Sequence, residues 1–345
     1  MTPIRTRLAT RAAAVCGAAL LVTACAGADE MEADVDDPAD DLDTEEPEED
    51  EPEDDDADEP EDDAAEDDAA EDDEADDAEA ADGLLGELQE AGSATIGIAN
   101  EVPYGFEDED GNVTGQAPEI AYEVLGELGI DDVDAEIVEF GALIPGLQAG
   151  QFDLIAAGMF VTPERAEQVI FADPDYCVTY GLAVEEGNPL GLSDFQSVVD
   201  EGATIAVLSG AVDEDYVEGA GIPSDQVELF GDVNDQYEAL AAGRVDAVGG
   251  TFLTVTEQTE ADDSIEATES FFPTDEDGNE IPGCGAFGFD DQEFRDAFND
   301  VLDELKEEST VVEITSGFDF PEEDITRAFD YTVDSLVEEM EAAEE

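Results

Sequence analysis

The chain has 345 residues, with 101 Asp and Glu against 8 Lys and Arg and no His, for a formal net charge of −93. Self-repulsion of that size works against a compact state unless salt screens it, which points to a protein built for a salt-rich exterior. The same charge excludes nucleic acid and anionic headgroups as partners, because no basic patch overrides it.

Residues 1–24 read as a leader: Arg5, Arg7 and Arg11 precede the short apolar run AAAVCGAALLV, and VTAC follows. The run is too short for a mature membrane helix. It resembles a bacterial lipoprotein signal, in which Cys25 becomes the lipidated N-terminus; an ordinary secretory leader is the alternative. Both imply export, and no later segment is apolar enough to be a membrane helix.

Residues 25–82 follow as a linker, and from residue 29 it is a run of Asp, Glu, Ala and Pro without aromatics. Dense like charge and little apolar surface predict an extended tether, reaching roughly 180 Å at about 3.3 Å per residue. With Cys16 in the leader and Cys25 at the anchor, Cys177 and Cys284 remain in one exported domain. A disulfide between them is the expectation, two buried thiols the alternative; without His or CxxC, no metal site or cofactor is expected.

From residue 83 short β-branched strands alternate with amphipathic helices. TIGIAN, AEIVEF and DLIAAG read as strands, with helices at APEIAYEVLGEL and ALIPGLQAG; ATIAVL, QVELF and VDAVGG continue the rhythm, with helices from about Asp213, at NDQYEALAAG and near Thr254. This β-α-β order predicts α/β architecture with parallel-rich sheets, and the length predicts two lobes. Ligands of open α/β sheets lie at the carboxyl ends of strands. Those ends carry Glu101, Tyr104, Phe140, Gly158, Phe160, Arg165, Ser209, Ala211 and Thr251.

The succession NEVPYGF, DEDGNVTG, APEIA, IPGLQAGQFDLIAAGM, TPERAEQVIFADP and GAFGF resembles the solute-binding proteins of polar amino-acid ABC importers. The resemblance implies a two-lobed type II periplasmic-binding fold that traps its ligand by lobe closure. Lobe 1 would span 83–180 and return over 286–345, with lobe 2 at 181–285 and hinge strands near Cys177–Val184 and Cys284–Phe289. It also implies a monomer at the outer face of the cell membrane, held only by its lipid anchor and working with a permease and an ATPase.

In that family the arginine of the TxER segment binds the ligand carboxylate, a place that Arg165 occupies; a planar guanidinium suits a bidentate partner as lysine does not. A surface ion pair with Glu164 or Glu167 is the alternative. Arg244, Arg295, Lys306 and Arg327 read as structural. Relatives that bind amino acids carry an aspartate for the α-ammonium shortly after GRxDA, whereas GRVDAVGGT has Thr251, and Phe160 stands where they tend to have Thr. The set Glu101, Tyr104, Phe140, Phe160 and Arg165 is similar to the ectoine and hydroxyectoine binders: an aromatic box, an acid for the ring nitrogens and an arginine for the carboxylate. A polar amino acid is the runner-up ligand. Ser209 and Ala211 would approach from lobe 2, through backbone N–H groups at a helix start.

Other classes fit less well. Without His or GxSxG, no nucleophile is paired with a base. FEDEDGN and TDEDGN fail the calcium-loop pattern at its first and last positions and read as acidic turns. A sensor ectodomain would need a membrane span after the fold, and none is expected in the stretch ending EEMEAAEE.

Overall fold

The computed structural model describes residues 83–274, 281 and 283–344. The leader, Cys25, the acidic linker and most of the TDEDGN turn lie outside the described residues.

Among the described residues thirteen strands follow in chain order: β1 Ser93–Ile98, β2 Phe106–Glu107, β3 Val113–Thr114, β4 Asp132–Ile137, β5 Leu154–Phe160, β6 Ile170–Phe171, β7 Tyr176–Val178, β8 Tyr180–Glu185, β9 Ile205–Leu208, β10 Val227–Phe230, β11 Ala247–Thr251, β12 Ile265–Ala267 and β13 Gly283–Phe289. The first lobe's sheet has the order β4-β1-β5-β13-β6, with β7 also on β13; the second lobe's has β10-β9-β11-β8-β12. Strands joined by helical crossovers pair in parallel, as such connections require. The strands nearest the crossover, β8 and β13, run antiparallel to their neighbours.

β5 is buried along its length apart from Gly158, and β9 and β13 are buried throughout, as strands covered on both faces must be. Helix Gln116–Glu127 lays Ile120, Ala121, Val124 and Leu125 on the first sheet, and helix Gln292–Glu307 adds Phe294, Phe298 and Leu302. In the second lobe helix Val233–Ala241 buries Val233, Tyr237 and Leu240.

Cys177 and Cys284 pair directly across β7 and β13 and form a disulfide closing a separation of 107 residues. Tyr180 already pairs in the second sheet, so the chain crosses at Thr179. The return differs from the expected boundary at 286: Gly283, Cys284 and Gly285 already pair with β5 or β7, so the return crossover precedes Gly283 and the strand over Cys284–Phe289 belongs wholly to the first lobe. The glycines are the reason. A Cβ at Gly283 would meet the Phe160 ring at 2.7 Å, and one at Gly285 the Tyr176 ring at 2.2 Å. The strand is bare at these two positions so that two rings can lie on it.

FEDEDGN forms the β2–β3 turn, where the Asp108 carboxylate accepts from the Asp110 and Asn112 backbone N–H groups. Among the described residues the cations outside the cleft are structural: Arg244 and Arg327 lie over Phe230 and Phe272, Lys306 pairs with Asp303, and Arg295 donates to the Phe171 carbonyl.

Candidate functional site

The carboxyl ends of β1, β5, β9 and β11 converge on a small cavity between the lobes. The lobes touch around it. Thr254 Oγ1 donates to Glu101 Oε1 at 2.7 Å and lies 3.1 Å from the Val102 carbonyl, and Arg165 Nη2 donates to the Gly210 carbonyl at 3.0 Å. A Cβ at Gly210, whose φ is +78°, would lie 2.5 Å from Gly141 Cα, and one at Gly231 would lie 2.9 Å from the Glu139 carboxylate. The cleft is closed.

Arg165 owes its position to its own segment. Thr162 caps the short helix Pro163–Ala166, its hydroxyl accepting from the Arg165 N–H, and Pro163 presets the first turn. The side chain turns inward, only 8 % of the residue exposed, and Nη1 donates to the Phe160 carbonyl at 2.8 Å. Among the described residues it makes no ion pair with Glu164 or Glu167. Its Cζ lies 5.5 Å from the centre of the Phe140 ring. A guanidinium has five N–H groups, so three remain for a ligand. Burial lowers its pKa, opposed chiefly by Asp213, but it stays charged at any working pH.

The aromatic walls are fixed from behind. Tyr104 packs at a tilt against Tyr176, their ring centres 5.3 Å apart, and meets Phe320 edge-on at 5.5 Å, while Tyr176 donates to the Gly158 carbonyl at 2.6 Å. Gly158, at φ +64°, is required here, because a Cβ would sit 2.5 Å from the Tyr104 ring. Phe140 and Phe160 also line the cavity, and both are buried.

Glu101, Ala211 and Thr251 line the cavity as well. Thr251 caps helix Phe252–Ala261, and its hydroxyl accepts from the Thr254 N–H. Ser209 does not line it. β9 ends at Leu208, the Ser209 N–H is spent on the Phe230 carbonyl, and the turn at Gly210 carries Ala211, Val212 and Asp213 inward instead.

Asp213, Tyr180, Gln236, Tyr237 and Thr254 also line the cavity and escaped the sequence reading. Asp213 is buried at the start of helix Asp213–Gly219 and accepts from the Tyr180 hydroxyl. The acid missing at position 251 is therefore matched by one from another segment. Burial pushes the Glu101 carboxyl up to about 7, against the Thr254 hydroxyl, and the Asp213 carboxyl up to about 8, with Glu101 adding to the effect. One permanent cation, two carboxyls and aromatic walls in an enclosed space suit a small molecule that carries a carboxylate and a positive charge.

Residues 94–320 match the family of bacterial extracellular solute-binding proteins, family 3. The chain belongs to that family. It is similar to the probable amino-acid ABC transporter periplasmic-binding protein y4tE of Sinorhizobium fredii (strain NBRC 101917 / NGR234), 33 % identical over 256 residues, which are 73 % of this chain and 85 % of that protein. The lysine/arginine/ornithine-binding periplasmic protein of Escherichia coli (strain K12) is 29 % identical over 190 residues, 50 % of this chain and 66 % of that one. Among solved structures, EhuB in complex with hydroxyectoine superposes with a TM-score of 0.68 at 34 % identity, over 74 % of this chain and 97 % of that chain. An ancestral arginine-binding protein bound to glutamine gives 0.58 at 25 % identity, over 66 % and 97 %. This family member is an extracytoplasmic solute-binding protein of an amino-acid-type ABC transporter, partnered with its permease and ATPase components. Proteins of this family bind solutes for transporters.

Proposed function

We propose that the protein captures ectoine or hydroxyectoine and delivers it to an ABC importer. The observation that carries this reading is the cage of Tyr104, Phe140 and Phe160 beside the inward guanidinium of Arg165. Such a solute joins a carboxylate to a ring whose positive charge is delocalised. Arg165 would take the carboxylate with two of its three remaining N–H groups. The aromatic faces would hold the ring, where a desolvated cation–π contact contributes about 2 kcal/mol. Glu101 would accept from the ring N–H groups, and Ala211 and Thr251 would close the cage from the second lobe. The likeness to EhuB in complex with hydroxyectoine supports the assignment.

A polar amino acid is the second reading, favoured by one observation: Asp213 adds a second buried carboxyl, and a compact ammonium demands such acceptors. The relatives that bind arginine, lysine or ornithine point the same way.

For the rest of the chain, we propose export by the leader, lipidation at Cys25, a monomer held off the membrane by the acidic linker, and adaptation to high salt. A thermal-shift screen of ectoine, hydroxyectoine, glycine betaine and the common amino acids in molar salt tests the ligand, since a molecule that binds only the folded state raises its midpoint. The two ectoines should give the largest shifts. A larger shift with an amino acid would favour the second reading.

A further inference from the structure

Seven buried side-chain nitrogen or oxygen atoms among the described residues make no hydrogen bond, and three of them, Tyr104 Oη, Gln236 Nε2 and Tyr237 Oη, belong to residues lining this cavity. Such atoms are rare in folded proteins and costly, and each calls for an explanation. Three of the seven belong to the wall of this one cavity.

Gln236 and Tyr237 are neighbours in the first turns of helix Val233–Ala241, which shares the second lobe's side of the cavity wall with the 211–213 turn and β11. Both are buried. The Tyr237 hydroxyl reaches across to β11, 3.7 Å from where a Cβ on Gly250 would stand. Glycine at that position keeps a side chain out of the space beside the phenol. Arg165, Glu101 and Asp213 already provide for a carboxylate and a cation. A cavity wall that carries both an amide N–H, which must donate, and a phenol, which can donate or accept, suits a group that is at once acceptor and donor. A neutral hydroxyl has that character.

We infer that Gln236 and Tyr237 form a hydroxyl-recognition subsite that makes this protein prefer the hydroxylated member of its ligand class. The inference rests on the ectoine reading and refines it. Hydroxyectoine leaves both side chains paired, whereas ectoine closes the cleft with at least one polar atom unpaired. One net hydrogen bond corresponds to about tenfold in affinity.

Titration calorimetry of ectoine and hydroxyectoine, on the parent, Tyr237→Phe and Gln236→Leu, tests this. The parent should bind hydroxyectoine about tenfold more tightly. Tyr237→Phe keeps the ring and should bring the two affinities within about twofold of each other, mainly by weakening hydroxyectoine, and Gln236→Leu should act in the same direction. A preference that both variants retain, or a parent that binds the two solutes equally, overturns the hydroxyl subsite and leaves the ectoine reading standing. A parent that binds neither solute overturns both.

Discussion

The Arg165 guanidinium spans the closed cleft, donating to the Phe160 carbonyl of its own lobe and to the Gly210 carbonyl of the other. One side chain thus joins the proposed carboxylate clamp to the lobe contact. Arg165→Ala should weaken ligand binding by two to three decades or more, about 3–5 kcal/mol, because a desolvated carboxylate loses its partner. Arg165→Lys should recover only part of that, since an ammonium cannot serve both carbonyls and a carboxylate fork. Calorimetry reads both, and binding within a few-fold of the parent in Arg165→Ala would place the clamp elsewhere.

Gly210→Ala tests closure separately from ligand chemistry. The new methyl group would meet Gly141 Cα at 2.5 Å, at a φ of +78° where a non-glycine residue costs roughly 1–2 kcal/mol. The lobes should fold but fail to close fully. The expected result is a loss of at least tenfold in affinity and, by small-angle X-ray scattering with saturating ligand, a larger radius of gyration than the liganded parent. Equal affinity and equal compaction would mean that the Gly141–Gly210 contact does not limit closure.

Glu101, Asp213 and, outside the cavity, Asp175 have carboxyls raised by burial to about 7, 8 and 7. In the unfolded chain they release their protons near pH 4. Between that value and pH 7–8 the folded state therefore holds more protons, so these groups cost stability as pH rises through the window. A cationic ligand group beside Glu101 and Asp213 favours their ionised forms and reverses the cost locally. Affinity should rise between pH 6 and 8 with release of protons, measurable by calorimetry in buffers of different ionisation enthalpy. A flat profile without proton release would show that neither carboxyl meets the cation.

Salt should govern stability. Among the described residues Arg295–Asp296 and Lys306–Asp303 are the ion pairs, so nearly all the acids lack a cationic partner. Screening is then the main relief of their repulsion. The thermal midpoint should climb substantially from low to molar salt, and a flat response with ligand and divalent ions excluded would remove the case for a protein adapted to brine.

Much of this was legible in the sequence, and the failures have physical causes. Period-2 and period-3.6 patterns survive in an acidic chain because the buried positions stay apolar, so the α/β alternation showed through. Arg165 stood out because cations are scarce. Asp213 did not, because one acid among 101 has no contrast, and only the fold shows that this one is buried. Gln236 and Tyr237 sit in NDQYEALAAG, whose helical period accounts for both as ordinary helix positions. Ser209 was misplaced because the position after a strand end points inward only if the turn allows it, and the left-handed Gly210 shifts the inward positions to 211–213. The run GCGAFGF read as a boundary because its packing partners, Phe160 and Tyr176, are more than 100 residues away.

Under the proposed function, the site selects a ring-borne, delocalised cation joined to a carboxylate. Competition calorimetry in molar salt, with ectoine or hydroxyectoine bound first and glutamine, glutamate or arginine added, measures it most directly. The amino acids should displace the bound solute only at well over tenfold higher concentration, and Phe160→Ala should weaken the solute by about 1–3 kcal/mol through lost apolar area and cation–π attraction. Displacement by an ordinary amino acid at comparable concentration, or an unchanged affinity in Phe160→Ala, would contradict the account and make this chain a general amino-acid binder.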